Sequence, residues 1–329
     1  MPEGHTLHRL AAQVQSLFAG RPWRVSSPQG RFASGAARLD GRAPEWAEAW
    51  GKHLLIHVGA DVWQVHLGLY GAFSFRGDAQ FDGAATLGAP RAAPQEHQIA
   101  YDGAGWIIPE APQGAARARI HVPNGWADLR GPARCAVLNT VEYEQVIRRL
   151  GPDPLRQDLG GDSIDPVTID PLMLEQFRER LSRRRVSIAA ALMDQAVIAG
   201  VGNIYRAESL FVEGISPDRS AQSLGQEQVE RLWSRLSAQL RDGVAEGVIR
   251  TLRENDPLLG ARGGELRSPA DDRPVHDYRA GEAARRGRAS RRHWVYQHQG
   301  TPCLRCGETV AMRELAGRRL YWCLGCQTG

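Results

Sequence analysis

After an opening helical stripe, the hydrophobic period of this chain turns from that of strands to that of helices, and this change limits what it can fold into. From Lys52 to about residue 135 the apolar residues alternate. "KHLLIHV" and "DVWQVHL" do so across a "GAD" turn, "LYGAFSF" follows, and "HQIAYDGAGWIIPE" reads as a further hairpin around Asp102 and Gly103. Beyond residue 171 the spacing becomes helical, with "PLMLEQFRERL", "VSIAAALMDQAVIA", "NIYRAESLFVEG" and "GQEQVERLWSRLSAQLRDGVAEGVI" as four helix candidates. A strand period and a helix period cannot share one regular layer, so the chain is expected to be α+β and multidomain. Its 329 residues fit two domains and a small appendage at about 150 residues per domain.

Three further stretches complete the outline. Leu7, Leu10, Ala11, Val14, Leu17 and Phe18 mark one face of a helix over residues 3–19, and "TVEYEQVIRRL" reads as another helix. Residues 151–171, rich in Gly, Pro and Asp, read as a linker, and the polar stretch 252–292 as a long mobile loop. No apolar run approaches the ~18–20 residues that span a bilayer, and no secretion signal is visible. A soluble cytosolic protein without membrane contact is expected.

Four of five cysteines close the chain. Cys303 and Cys306 form one CxxC pair and Cys323 and Cys326 another, with sixteen residues between the pairs. This is the spacing of a four-thiolate zinc site, in which two knuckles complete a tetrahedron. Two disulfides are the alternative, which a reducing cytosol disfavours. Cys135 reads as a small buried apolar residue.

A net charge of +4 permits a nucleic-acid partner without requiring one. The basic residues are more informative, because Lys52 is the single lysine among forty arginines. An arginine is always protonated, whereas a lysine amine can be tuned. Lys52 is therefore either a chance survivor or a position that needs an amine.

Other motifs have two readings each. In "IAGVGNIYRAE", Gly200, Gly202 and Asn203 are ordinary helix punctuation, or they let a phosphate approach the N–H groups at a helix start. The arginines of "ELAGRRLYWC" are solvated charges, or they project a phosphate clamp from a hairpin turn. Leu69 and Tyr70, between two glycines, are packing residues, or an apolar wedge at a hairpin tip able to unstack a duplex. His5, His8 and His66 have no ligand-like spacing.

"MPEG" suits the mouth of a helix, where Pro lacks no bond and Glu faces the positive dipole end. Loss of Met1 would also leave Pro2 as a free secondary amine with a pKa near ~8. Such an amine can attack an aldehyde or anomeric carbon, with Glu3 placed to deliver a proton and Lys52 to supply a cation.

Taken in order, "MPEG", "GKHLL", "HLGLYG", "RLGPDPL", "GVGNIYRAESLF" and "CLRC…RRLYWCLGC" resemble the bacterial formamidopyrimidine-DNA glycosylase and endonuclease VIII family of base-excision repair enzymes over nearly the full length. The resemblance implies an N-terminal helix plus β-sandwich as the catalytic domain (1–135), a helical domain with a helix–two-turn–helix motif and the long loop (136–292), and a zinc-ribbon-type finger (293–329). DNA would lie in the cleft between domains. By the same resemblance Pro2 is the Schiff-base nucleophile, Glu3 the general acid and Lys52 the catalytic lysine. Asn203, with Gly202 beside it, and Arg318 would bind phosphates, and Leu69 and Tyr70 would fill the void left by a flipped base.

Three departures point to the endonuclease VIII branch: His5 and Thr6 follow the opening motif, Ala196 stands where the other branch has lysine, and "DLRGPARC" replaces an arginine-phenylalanine loop. The implied activity is a bifunctional glycosylase and lyase that removes oxidised pyrimidines and cleaves by β,δ-elimination. The implied partner is DNA containing oxidised bases or abasic sites, bound by a monomer in the bacterial cytoplasm at the nucleoid. One structural zinc ion and no redox or nucleotide cofactor would be needed. The alternatives are an 8-oxoguanine or formamidopyrimidine glycosylase and, from another class, a damage-binding protein without catalysis.

Overall fold

A computed structural model describes residues 2–89, 99–156, 170–253, 256–259 and 291–328. Met1 and most of the expected loop at 252–292 lie outside the described residues. The chain divides into two compact units, Met1–Phe177 with Asp194–Val201, and Arg178–Met193 with Gly202–Gly329.

In chain order the first unit holds α1 (Gly4–Phe18), β1 (Arg24–Ser26), α2 (Ala33–Leu39), β2 (Trp46–Trp50), β3 (His53–Val58), β4 (Asp61–His66), β5 (Ala72–Gly77), β6 (Thr86–Gly88), β7 (Ala116–Val122), β8 (Gly125–Arg130), β9 (Arg134–Leu138) and α3 (Thr140–Arg149). The strands form two antiparallel sheets, ordered β1-β7-β8-β5-β6 and β2-β3-β4-β9. Their inward residues alternate as the sequence requires. Leu54, Ile56, Trp63 and Val65 from one sheet meet Phe73, Phe75, Ile120 and Leu129 from the other, and the predicted stripe of α1 packs into the same core. Each such side chain contributes about 1.5–3 kcal/mol on full burial. On the outer face of the four-stranded sheet, Tyr143, Val146 and Ile147 of α3 cover Leu55, Val62 and Leu138. An Asn139–Glu142 capping box starts α3.

Several expectations need correction. Residues 151–156 are not linker: Gly151 to Pro154 are buried, because the loop bonds to its neighbours on both sides, and 157–169 lie outside the described residues. The hairpin around Asp102 reduces to one bridge, Tyr101 to Ile107, because Asp102 Oδ1 accepts from the amides of Ala104 and Trp106 and closes a tight turn where a ladder would run. The short α2 was not legible in the alternating pattern around it.

The second unit receives the end of α4 (Pro171–Ser182) and holds α5 (Ile188–Ala191), α6 (Asn203–Val212), α7 (Gln226–Glu246) and a hairpin of β10 (Val310–Leu315) and β11 (Arg318–Cys323). The helix expected over 186–199 stops after one turn. Asp194 Oδ1 takes the Ala196 amide, an Asx turn that competes with helical bonding. Helix α7 ends where Gly247 adopts φ +70° as a left-handed cap. The finger shares its core with the helices: Cys303, Val310, Tyr321 and Cys323 pack with Ala207, Phe211 and Trp294.

Candidate active site

Three glycines assemble the candidate reactive groups of the first unit. Gly4 opens α1, Gly51 turns the chain between β2 and β3, and Gly200 lies in the 194–201 strap at φ +92°. The Cα atoms of Gly4 and Gly51 each lie 3.5 Å from the point where a Gly200 Cβ would stand. A Cβ on Gly4 would lie 2.8 Å from the Gly200 Cα, and one on Gly51 2.8 Å from the Gly200 nitrogen. The Gly4 amide donates to the Gly200 carbonyl at 2.9 Å. Backbones approach this closely only where side chains are absent.

The consequence is that residues far apart in sequence converge. Pro2 and Glu3 are buried immediately before Gly4, with Glu3 as the residue capping α1 in an extended conformation and its side chain making no capping bond. Lys52 follows Gly51 and its Nζ donates to the Val201 carbonyl at 2.6 Å. The same carbonyl accepts from Gln195 Nε2 at 3.0 Å, while Gln195 Oε1 takes the Gly200 amide, so the strap is closed by its own side chain. Lys52 precedes β3 in a turn and is not part of the strand that the alternation of "KHLLIHV" predicts. The left-handed Gly51, at φ +59°, ends the strand geometry there.

Next to Lys52, the outer face of the four-stranded sheet carries a polar end that the sequence reading missed. His53 pairs with His66, and their rings approach to 5.0 Å. Arg134 Nε donates to Gln64 Oε1 at 2.6 Å, which leaves the Gln64 amide to donate to His53 Nδ1 at 3.0 Å. The Gly68 amide donates to His66 Nδ1. Both imidazoles therefore carry their hydrogen on Nε2 when neutral. Burial, then the charges of His66, Arg134 and Lys52, push His53 down to about 3, and burial with Lys52 lowers His66.

Leu69 and Tyr70 stand in a turn beside this face and are 44% and 77% exposed, so neither is core packing. The turn is not a hairpin tip, since β4 and β5 belong to different sheets and the chain crosses between them there. The reverse crossover, from β8 to β9, runs alongside, with the Ala133 amide donating to the His66 carbonyl. Arg130 and Arg134 bracket it.

The second unit holds the other candidates. Gly202 is the cap of α6 and Asn203 its first helical residue. The Asn203 amide is buried and donates to the Arg319 carbonyl at 2.9 Å, while its Oδ1 accepts from Arg206 Nη2 at 2.5 Å. Arg206 also donates to the Arg319 carbonyl. The hairpin turn is Ala316–Gly317, both at positive φ, so Arg318 and Arg319 open β11. Successive strand residues face opposite sides, so the pair does not form the joint clamp expected of a turn. Arg318 is exposed on the hairpin.

The Sγ atoms of Cys303, Cys306, Cys323 and Cys326 all lie within 4.8 Å of one another. The shortest contacts, 3.4 Å for Cys306–Cys323 and 3.9 Å for Cys303–Cys326, join the two knuckles and exceed any disulfide. A closed set of four soft donors fits a tetrahedral structural metal.

Comparison with known proteins agrees with this architecture. Residues 150–253 match the formamidopyrimidine-DNA glycosylase H2TH domain family. Endonuclease 8 1 of Mycobacterium tuberculosis (strain ATCC 25618 / H37Rv) is 39% identical over 330 positions, spanning 100% of both chains. Formamidopyrimidine-DNA glycosylase of Thermomicrobium roseum is 36% identical over 203 residues, 61% of this chain and 57% of that protein. The fold is similar to that of Lactococcus lactis formamidopyrimidine-DNA glycosylase, solved non-covalently bound to DNA containing an AP site, with a TM-score of 0.63 at 17% identity over 99% of this chain and 100% of that one.

Proposed function

Because the chain belongs to the formamidopyrimidine-DNA glycosylase and endonuclease VIII family, on its endonuclease VIII-like branch, and is a DNA glycosylase of base-excision repair, we propose that Pro2, Glu3 and Lys52 carry its chemistry. The supporting observation is the glycine junction, which fastens the Pro2–Glu3 end of α1 and the Lys52 turn to the same two residues, Gly200 and Val201.

With Met1 removed, the Pro2 nitrogen attacks the anomeric carbon of a damaged nucleotide turned out of the stack. The glycosidic C–N bond breaks, and Glu3 gives a proton as the base departs with the bonding electrons. The nitrogen loses its own proton, and its lone pair then expels the ring oxygen O4′, which takes up a proton as the sugar ring opens; the resulting iminium at C1′ acidifies the neighbouring C–H. Loss of that proton expels the 3′ phosphate, and a second elimination expels the 5′ phosphate. Lys52 supplies positive charge to the departing base and then to the phosphates. Hydrolysis then frees Pro2.

Leu69 and Tyr70 are assigned to the void in the duplex, and Gly202, Asn203 and Arg318 to the phosphate backbone. Cys303, Cys306, Cys323 and Cys326 would hold zinc, which shapes the finger and takes no chemical part. We assign catalysis to residues 1–135, with Leu69 and Tyr70 as their contact to the duplex, and the phosphate contacts to the helical domain, 136–292, and the finger, 293–329. Oxidised pyrimidines are the preferred substrates on the evidence of His5, Thr6, Ala196 and the "DLRGPARC" crossover, and an excision assay comparing thymine glycol with 8-oxoguanine tests that preference.

Borohydride trapping on abasic-site DNA tests the chemistry. Mature protein is expected to trap, and protein retaining Met1 is not. Glu3→Gln should still trap on abasic DNA while losing base excision. Equal trapping with and without Met1 overturns the nucleophile assignment.

A further inference from the structure

Among the described residues of the first unit, the loop after α3 carries the most completely buried carboxylate outside the proposed chemistry. Asp153 has no solvent exposure. Its Oδ2 accepts from the Gly51 amide at 2.6 Å and from His8 Nε2 at 2.8 Å, and its Oδ1 accepts from the Leu155 amide at 2.9 Å. That Oδ1 also lies 3.8 Å from the point where a Gly200 Cβ would stand. One carboxylate thus bonds to α1 through His8 and to the Lys52 turn through Gly51, and stands near the strap at Gly200.

The loop around it is fastened on two sides. The Ala199 amide donates to the Pro152 carbonyl and the Gly151 amide to the Gln195 carbonyl, which brace the strap. Trp50 Nε1 donates to the Gly151 carbonyl, and Arg156 bonds to Glu48 and to the Ala49 carbonyl, which brace β2. Burial alone pushes the Asp153 carboxyl up, but His8 and the Gly51 and Leu155 amides outweigh it, and the net shift is downward. The group is an anion held by donors, and it needs each of them.

We infer that Asp153, together with His8, is a positioning residue for the reaction proposed above: by accepting from the Gly51 amide it fixes the turn that carries Lys52 and thereby sets where the Lys52 ammonium stands relative to Pro2 and Glu3. The inference rests on the assignment of Lys52 to catalysis. Asp153 reaches no substrate in this role. It acts through the Gly51 amide, one residue from Lys52, so its effect must vanish when the Lys52 amine is absent.

That requirement separates positioning from general support of the fold. Single-turnover base excision is measured at saturating duplex DNA for the full-length protein, for Asp153→Asn, for Lys52→Ala and for the double variant, with DNA affinity and thermal unfolding followed in each. Asn keeps the shape but exchanges one acceptor oxygen for an NH2, which must face either the Gly51 and His8 donors or the Leu155 amide, so the anion and part of its set of bonds are lost. Excision by Asp153→Asn is expected to fall about tenfold or more, since small misplacements of a reacting group are costly. In the Lys52→Ala background the same change should alter excision by less than about twofold, a non-additive cycle.

If Asp153→Asn does not fold, His8→Leu enters the same cycle, since His8 lies on the outer part of α1 and is partly exposed, and His8→Gln, which can still donate to Asp153, should restore activity. Equal losses in both backgrounds, or no rescue by Gln, overturn the inference and leave the proposed function standing. A Lys52→Ala protein as active as wild type overturns both.

Discussion

At the glycine junction the absence of a side chain is the functional property. Gly51→Ala puts a methyl group 2.8 Å from the Ala199 Cβ and the Gly200 nitrogen, in a left-handed conformation that alanine resists. Overpacking of this kind costs about 1–3 kcal/mol. Thermal unfolding should show that loss, and borohydride trapping should fall by more than stability alone explains, since the turn also carries Lys52. His53 gives a second single-residue prediction. Its ordinary value of 6.5 is depressed to about 3 in the fold. The unfolded chain therefore binds a proton that the native chain refuses once pH falls below 6.5, and stability is lost progressively from there towards pH 3. Above 6.5 both states are neutral and His53 makes no pH-dependent contribution. Urea unfolding at pH 7.5 and 5 should show the decline, and His53→Gln should reduce it, leaving the share of His66, which is lowered in the same way. Glu48, held near 2 because His57 and Arg156 outweigh its burial, adds a separate loss only below about pH 4.5. Such partners were not legible in the chain. The isolated Lys52 stood out by being the one lysine, whereas Asp153 sat in a Gly-Pro-Asp stretch with linker composition, and Arg206 was one arginine among forty.

Elements were read best where one period ran long. The stripe of α1, the pairing of β3 with β4 and the 21-residue α7 all follow their patterns. The failures lie where a side chain competes with the backbone, as at Asp102 and Asp194, and where long-range pairing decides what a turn joins. Leu69 and Tyr70 are such a case, since nothing local says that β4 and β5 enter different sheets. The finger hairpin was legible from its cysteines, but its shared core was not. That core alters what chelation should do. Because Cys303 and Cys323 pack with Phe211 and Trp294, metal removal should loosen the second unit as well as the knuckles and leave the sandwich folded. Tryptophan fluorescence resolves the two, through Trp294 on one side and Trp23 and Trp63, buried in the sandwich, on the other. Loss of sandwich structure on chelation would contradict the division.

For the whole molecule, a net charge of +4 on 329 residues is too weak a field to account for DNA binding by itself. Placed groups must do it. Arg318, exposed at the start of β11, is expected on replacement by Ala to weaken binding to all sequences alike and to lower the salt slope by about one, with zinc content unchanged. Asn203 is neutral, so its replacement should weaken binding through a lost phosphate contact and a displaced hairpin, to which it is bonded at Arg319, and leave the slope near its original value. Fluorescence anisotropy across a salt series distinguishes the two outcomes.

The glycine junction also has a consequence in time. Its members stand at positions 4, 51 and 200, so the contact closes a span of nearly the first two thirds of the chain. Local pairing can complete the sandwich strands well before that, since contacts between distant residues form late. A ribosome-bound chain that has emerged as far as Leu138 owns every residue proposed for the chemistry and yet lacks the strap against which Lys52 and the mouth of α1 are set. Such a nascent chain would be folded and inert, and the amine of Pro2 would meet DNA as a working nucleophile only after the backbone at Gly200 had arrived.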